Sequence, residues 1–268
     1  MTYFGFLLRF LCLPIIALLI VAWVDRRRGR RMPAAFSAWS PALAIALHVV
    51  IALLYTTLWD NYLVATNVWW YDPALVSGIV FGWVPIEEYT FFVLQPIMTG
   101  LWLLLLTRRL RPGEDRLRQK LRLWTVVPLA ALWLGMAAIL FTGWRPGTYL
   151  ALELVWALPP IALQLAFGAD ILWRHRALVF WTIIPTTIYL SAADALAIGF
   201  GTWTIDPAQS LNIFLGVLPI EEFVFFLLTN TLVTFGVTLV LAKVRHERIA
   251  ELRARFTPTK ATNVTEGM

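Results

Sequence analysis

Charge is scarce in this chain of 268 residues: Asp, Glu, Lys and Arg together make up 14%. Soluble domains carry nearer a quarter, so a fold with water on every side is excluded. Cysteine is almost missing. Cys12 stands alone, which rules out an internal disulfide and a cysteine metal cluster. Three histidines, at 48, 175 and 246, lack ligand spacing, so no metal site is expected. Lysine occurs only at 120, 243 and 260, outside the apolar runs; the Schiff-base chemistry of a retinal-binding opsin is therefore excluded. No Gly-x-Gly-x-x-Gly follows a strand-like run, so a nucleotide-binding domain is not needed and no cofactor is expected.

Apolar sequence is what abounds. Hydrophobic residues make up 60% of the chain and the mean hydropathy is +0.73. Crossing a bilayer takes about 20 apolar residues, and seven runs qualify: 3–24, 37–59, 75–107, 123–142, 148–172, 177–200 and 211–242. An all-α integral membrane fold of about seven spans is expected. The basic residues cluster at 26–31, 108–122 and 173–176 and in the tail from Lys243. These regions hold 20 of the 22 Lys and Arg residues and alternate with loops that hold almost none. By the positive-inside rule they face the cytoplasm, with the N-terminus outside and the C-terminus inside. That pattern, not nucleic acid, accounts for the net charge of +6. The first run is no cleaved signal peptide, because its charges follow the apolar stretch. The tail from Thr257 is polar and expected to be disordered. Asn263 matches a glycosylation pattern on the cytoplasmic side and carries no weight.

The chain repeats itself. Tyr55, Asp60, Trp69, Asp72-Pro73, Gly82, Pro85-Ile86-Glu87-Glu88 and Phe91-Phe92 recur 134 residues later as Tyr189, Asp194, Trp203, Asp206-Pro207, Gly216, Pro219-Ile220-Glu221-Glu222 and Phe225-Phe226. Upstream, Thr2-Tyr3 and Pro14 recur at an offset of 146 as Thr148-Tyr149 and Pro160. The first basic loop is 12 residues longer, which accounts for the change of offset. We read a first three-helix repeat over 1–110, a basic loop and linking helix over 111–146, a second repeat over 147–243, and a tail over 244–268. The linking span restores the orientation of the second copy, so the two repeats are expected to run parallel.

If residues 75–107 and 211–242 are helical throughout, Glu87 and Glu221 lie about 15–18 Å along their spans, near the bilayer midplane. An acid at that depth is costly, and is a functional candidate by default. No Lys or Arg lies there to neutralise it, and at least two of the four glutamates are expected to be uncharged at pH 7. Inside such helices Pro85 and Pro219 would free the carbonyls of Phe81 and Leu215 to receive a glutamic acid proton. Phe91, Phe92, Phe225 and Phe226 follow one turn after the acids, and the negative faces of their rings stabilise a nearby cation. A buried acid, a conjugate base and aromatic walls suit proton-initiated alkene chemistry on an apolar substrate. A purely structural role for the glutamates, as hydrogen bonds between helices, is the competing reading.

Asp72 and Asp206 read as turn formers before proline. Asp60 and Asp194 close their spans near the outer surface and are candidates for an outer vestibule, with Tyr55 and Tyr189 about one turn further in. His48, Gln95, Glu153 and Gln164 read as hydrogen bonders between helices. Trp59, Trp69, Trp70 and Trp203 read as an interfacial aromatic belt, and the arginine runs as topology signals touching anionic lipid.

Two Pro-x-Glu-Glu-x-x-Phe-Phe motifs, each on a three-helix repeat and each preceded by Asp, Trp and Asp-Pro, resemble the integral-membrane lycopene cyclase family. The likeness covers almost everything from Thr2 to Ala242 and looks like the fused two-repeat form. It implies a lycopene β-cyclase, an isomerase of carotenoid biosynthesis that closes the linear ψ-ends of lycopene into ionone rings without net redox change. By position, the implied catalytic residues are Glu87, Glu88, Glu221 and Glu222. Candidate substrate-binding residues are Phe91, Phe92, Phe225, Phe226, Tyr55, Tyr189, Asp60 and Asp194. Implied partners are an apolar carotenoid drawn from the lipid phase, membrane lipids, and other carotenoid-biosynthesis enzymes, with no nucleic acid. A proton-coupled transporter using midplane carboxylates is the main alternative. The motifs do not choose between β-, ε- and γ-rings or between C40 and C50 substrates.

Overall fold

The computed structural model describes residues 1–111, 113, 117–118 and 120–256. Seven helices long and apolar enough to cross a membrane lie among them. They are α1 (Tyr3–Arg27, with one π turn at Leu8–Cys12), α2 (Pro41–Ala65), α3 (Ile86–Thr107), α4 (Lys120–Thr142), α5 (Thr148–Arg174), α6 (Arg176–Gly199) and α7 (Ile220–Leu241). The chain is an integral membrane protein. A further helix, α8 (Arg245–Phe256), follows α7 in the region expected to be tail. The polar segment from Thr257, with Asn263, lies outside the described residues.

Two spans depart from expectation. Residues 75–85 and 211–219 are not helical; each holds a tight two-stranded hairpin, β2 (Val80–Phe81) with β3 (Val84–Pro85), and β5 (Phe214–Leu215) with β6 (Leu218–Pro219). The cause is local. Gly82 and Gly216 adopt φ of +68° and +69°, the left-handed backbone that a two-residue hairpin turn needs and that glycine supplies without strain. At Gly82 a Cβ would also collide with Asn61 Oδ1, which accepts a hydrogen bond from the Trp83 N–H at 2.8 Å. Pro85 and Pro219 are therefore N-caps of α3 and α7 and interrupt no helix. The Phe81 carbonyl accepts the Tyr89 hydroxyl at 2.8 Å, not a glutamic acid. Glu87 and Glu88 stand in the first turn of α3, and Glu221 and Glu222 in the first turn of α7. Helical rise consequently does not measure their depth. Both hairpins turn large apolar side chains outward: Ile79, Val80, Phe81 and Trp83, and Ile213, Phe214, Leu215 and Val217.

Contacts recur with the sequence. The Tyr3 N–H bonds the Leu75 carbonyl at 2.8 Å and the Tyr149 N–H bonds the Gln209 carbonyl at 3.0 Å. Asp72 Oδ1 accepts the Ala74 N–H and Asp206 Oδ1 the Ala208 N–H, both at 2.9 Å, which are the turns expected of them. The Tyr55 hydroxyl reaches the Trp156 carbonyl at 2.8 Å, and the Tyr189 hydroxyl the Phe10 carbonyl at 3.1 Å. The second helix of each repeat is thus laced to the first helix of the other. β1 (Trp69–Tyr71) pairs antiparallel with β4 (Trp203–Ile205), and Trp70 lies opposite Thr204, its own counterpart 134 residues on. The two copies meet about that point.

α3 and α7 form the buried centre, whereas no residue of α4 is buried. The Trp133 indole donates to the Val155 carbonyl at 3.0 Å and ties α4 to α5. Side chains facing outward are apolar; Leu58 is 81% and Phe141 92% exposed, as a lipid-facing surface requires. At the opposite end of the bundle from the glutamates, Asp25 pairs with Arg109 at 2.7 Å, and Asp170 with Arg248 of α8 at 2.7 Å. The Asp170–Arg248 pair is almost wholly buried. Removing one partner from such a pair strands a charge at a cost of about 3–5 kcal/mol. We predict that Arg248→Met lowers the melting temperature in detergent by several degrees, and that adding Asp170→Leu recovers much of the loss.

Candidate active site

Between the first turns of α3 and α7, beneath the β1–β4 ribbon, lies a chamber lined by four carboxylic acids: Asp60, Glu88, Asp194 and Glu222. No Lys or Arg lines it. Asp60, Asp194 and Glu222 are no more than 6% exposed, and Glu88 is half-buried. Asp60 and Asp194 do not close their helices at the surface as expected. α2 runs on to Ala65 and α6 to Gly199, which carries both aspartates inward; each is 1% exposed.

The acids differ in their partners. Glu88 Oε2 accepts the Tyr3 hydroxyl at 2.5 Å and the Tyr71 hydroxyl at 2.9 Å. The Trp69 indole donates to the Tyr71 oxygen at 3.2 Å, so donors run in series from Trp69 through Tyr71 to Glu88. Burial and the nearby Asp60 and Glu88 push the Tyr71 phenol well above its usual range, and it stays a donor at any physiological pH. Glu222 Oε1 accepts the Tyr149 hydroxyl at 2.8 Å. Neither oxygen of Asp60 has a protein partner, and Asp194 Oδ2 has none. Tyr3 and Tyr149 were visible in the sequence only as a recurring pair. Their role rests on the start of α1 and α5 meeting the other helices at the chamber.

Aromatic side chains complete the walls. Phe91, Phe92, Phe225 and Phe226 line the chamber, joined by Trp59, Trp69 and Trp203. These three tryptophans do not form an interfacial belt; Trp70, 42% exposed, remains available for one. Trp59 stacks on Phe225 (5.9 Å, 5°) and on Trp156 (4.5 Å, 18°), and Trp156 on Tyr55 (5.7 Å, 21°). Such pairs contribute about 0.5–1.5 kcal/mol each beyond burial, which makes the wall stiff. The cavity itself is about 40 Å³, room on the scale of a water molecule or two. A six-membered ring enters only if aromatic side chains turn aside.

Glu87 and Glu221 do not line the chamber. Glu87 Oε1 accepts the Ser77 N–H at 2.6 Å and Glu221 Oε1 the Leu211 N–H at 2.7 Å, so each pins the segment that leads into its hairpin. Tyr55 and Tyr189 lie outside the chamber as well, on separate lateral clefts. Of the four polar residues read as interhelical hydrogen bonders, Gln95 bonds Asn230 at 2.8 Å and Gln164 bonds the Leu232 carbonyl at 3.0 Å. His48 bonds within its own helix, and both oxygens of the buried Glu153 lack a protein hydrogen bond.

Fold and site together define a multi-span membrane protein with a cation-free acid chamber walled by aromatic rings. The family model for lycopene cyclase matches residues 2–106 and 146–243, which leaves out α4 and the basic loop before it. A lycopene beta-cyclase of Halobacterium salinarum is 38% identical over 207 residues, covering 76% of this chain and 86% of that protein. The bifunctional lycopene cyclase/phytoene synthases of Podospora anserina and Aspergillus niger are 37% and 36% identical. Each alignment covers 72% of this chain and 34% of the fungal protein. No solved structure matches. The chain belongs to the lycopene cyclase family.

The glutamate pairs thus divide by partner, and substitution should separate them. Glu87→Gln keeps an oxygen for the Ser77 N–H and is expected to leave the melting temperature within a few degrees of wild type. Glu87→Ala leaves that N–H unpaired, a loss of about 1–3 kcal/mol, and should melt measurably lower.

Proposed function

We propose that this protein is a lycopene β-cyclase that draws its apolar substrate from the lipid phase and closes ψ-ends in the acid chamber. The observation that carries the reading is the set of four carboxyls lining one chamber with no cation among them, facing aromatic rings. In our scheme a neutral carboxylic acid adds its proton to C2 of the ψ-end, leaving a cation at C1. The C5–C6 double bond attacks C1, the C1–C6 bond forms, and the cation moves to C5. A carboxylate then removes the C6 proton, and the C5–C6 double bond of a β-ring results. One proton is added and one removed, so neither oxidant nor reductant is consumed.

The partners of each acid suggest roles. Hydrogen bonds from phenols favour a carboxylate, which suits Glu88 and Glu222 to accepting the proton. A buried carboxyl without a donor is least costly in its neutral form, which suits Asp60 to donating it. The faces of Trp59, Phe91 and Phe225 stabilise the cation between the two transfers. Glu87 and Glu221 act as positioning residues through the Ser77 and Leu211 backbone. The same distribution of basic residues that marks the loops supports an N-terminus outside and a C-terminus in the cytoplasm.

Expression in cells that accumulate lycopene, with the pigment identified by chromatography and mass spectrometry, tests the activity; unchanged lycopene would overturn it. Asp60→Asn and Glu88→Gln are each expected to slow cyclisation about 10²–10⁴-fold, the usual worth of a positioned acid or base. Glu87→Gln should stay within about tenfold of wild type by the same scale. Reporter fusions at the two termini test the orientation: a C-terminal reporter active only outside the cell would reverse it.

A further inference from the structure

Two lateral clefts flank the bundle, and the repeat relates one to the other. The first lies between α2, α5 and α7, lined by Ile51, Ala52, Tyr55, Pro160, Gln164 and Leu232 among others. The second lies between α6, α1 and α3. There the counterparts of those six residues are Pro185, Thr186, Tyr189, Pro14, Leu18 and Met98, and all six line it. Duplication alone predicts two equal routes to the chamber.

They are not equal. Phe91, Phe92 and Phe225 line the first cleft and the chamber alike, so these rings border both spaces. The second cleft shares no lining residue with the chamber. The aromatic stack Tyr55, Trp156, Trp59, Phe225 runs along the first cleft into the acid site. On the other side the counterparts of Trp156 and Trp59 are Phe10 and Ala193, and the stack is broken. A buried polar ladder ties α6 and α3 to α7, and one of its members, Gln95, lines the first cleft. Asn230 Oδ1 accepts from Thr99 at 2.7 Å and from Gln95 at 2.8 Å, and Asn230 Nδ2 donates to Thr187 at 3.3 Å. The counterparts of Thr99, Asn230 and Thr187 are Val233, Pro96 and Leu53, whose side chains are apolar, so the ladder has no repeat partner. Size does not favour the first cleft, at about 170 Å³ against 410 Å³. Connection to the chamber does. On its lining His48 bonds the Ala44 carbonyl, the Gln164 amide donates to the Leu232 carbonyl and Tyr55 donates to the Trp156 carbonyl, while Gln164 Oε1 and the Trp156 indole N–H have no protein partner; the rest of the lining is mostly apolar.

We propose that the cleft between α2, α5 and α7 receives the shaft of the polyene and delivers its end to the acids past Phe91, Phe92 and Phe225, while the cleft between α6, α1 and α3 does not. This deepens the cyclase reading and rests on it. One gated route to one chamber means that the two ends of a substrate are served in turn.

The test uses matched substitutions in the full chain. Ala52→Trp fills the first cleft and is expected to cut lycopene conversion at least tenfold; Ala17→Trp, in the second, should stay within twofold. The reverse pattern, or equal loss in both, overturns the proposal. Because a tryptophan at 52 can disturb folding, labelling provides an independent arm. On a Cys12→Ser background, Ala52→Cys and Ala17→Cys are each reacted with a maleimide in membranes with and without added lycopene. Protection at 52 and not at 17 is expected; protection at 17 alone, at both or at neither overturns the route. Labelling reads where the polyene sits whether or not it is cyclised, so a failure of the cyclase reading, seen as unchanged lycopene with wild type, remains distinct.

Discussion

Four carboxyl groups gathered in one chamber without a cationic partner, three of them buried and Glu88 half-buried, are the constraint around which this molecule is built. An unpaired acid in an apolar interior is expensive, and the fold meets that cost with neutral donors instead of charges. Tyr3 and Tyr71 point at Glu88 and Tyr149 at Glu222. A lysine or arginine in their place would hold the acids as paired carboxylates. Phenols orient a carboxylate without adding a charge beside it, which is what the proposed proton transfer to and from carbon requires. Asp60 lacks even that support. Buried polar groups left without partners are uncommon in native proteins, and both oxygens of Asp60 and Oδ2 of Asp194 are such groups on the chamber wall.

Much of the remaining architecture serves to hold those donors. Tyr3 and Tyr149 stand at the starts of α1 and α5, whose N–H groups are tied to Leu75 and Gln209. Glu87 and Glu221 fix the adjoining segments at Ser77 and Leu211. The acid next in sequence to each chamber glutamate thus works on the backbone. A Glu-Glu pair at a helix start turns one carboxylate back to cap the preceding loop and the other into the cavity, since adjacent positions on a helix point about 100° apart. The N-terminal helix dipole favours negative charge at both positions.

Duplication supplied two of everything, and divergence then made the halves unequal. The acids, phenylalanines and proline-glycine hairpins are kept in both copies. The tryptophan stack, the Asn230 ladder and Tyr71 belong to one side each. The asymmetry reaches the chamber wall, where Tyr71 bonds Glu88, and the flank of the first cleft, where the tryptophan stack lies; the proposed single route rests on it.

Membrane class, the number of spans and the repeat were legible in the sequence, since each depends on composition or on spacing along the chain. Hydropathy over about 20 residues reports solvent, and an offset of 134 needs no coordinates. The glutamates and phenylalanines were legible as candidates for the same reason: an acid in an apolar run is conspicuous. Hydropathy could not separate helix from hairpin over 75–85, where exposed Ile79, Val80 and Phe81 are as apolar as a span but Gly82 turns the chain back. Nor could it tell a tryptophan facing lipid from one facing a cavity, as with Trp59 and Trp203. Which of two neighbouring glutamates enters the chamber, that Asp60 and Asp194 lie beside them, and that Tyr3 reaches across 85 residues to Glu88 were decided only in three dimensions. The physical reason is that hydrogen bonds and cavities are set by distances between segments, whereas the sequence on its own determines the solvent each segment prefers.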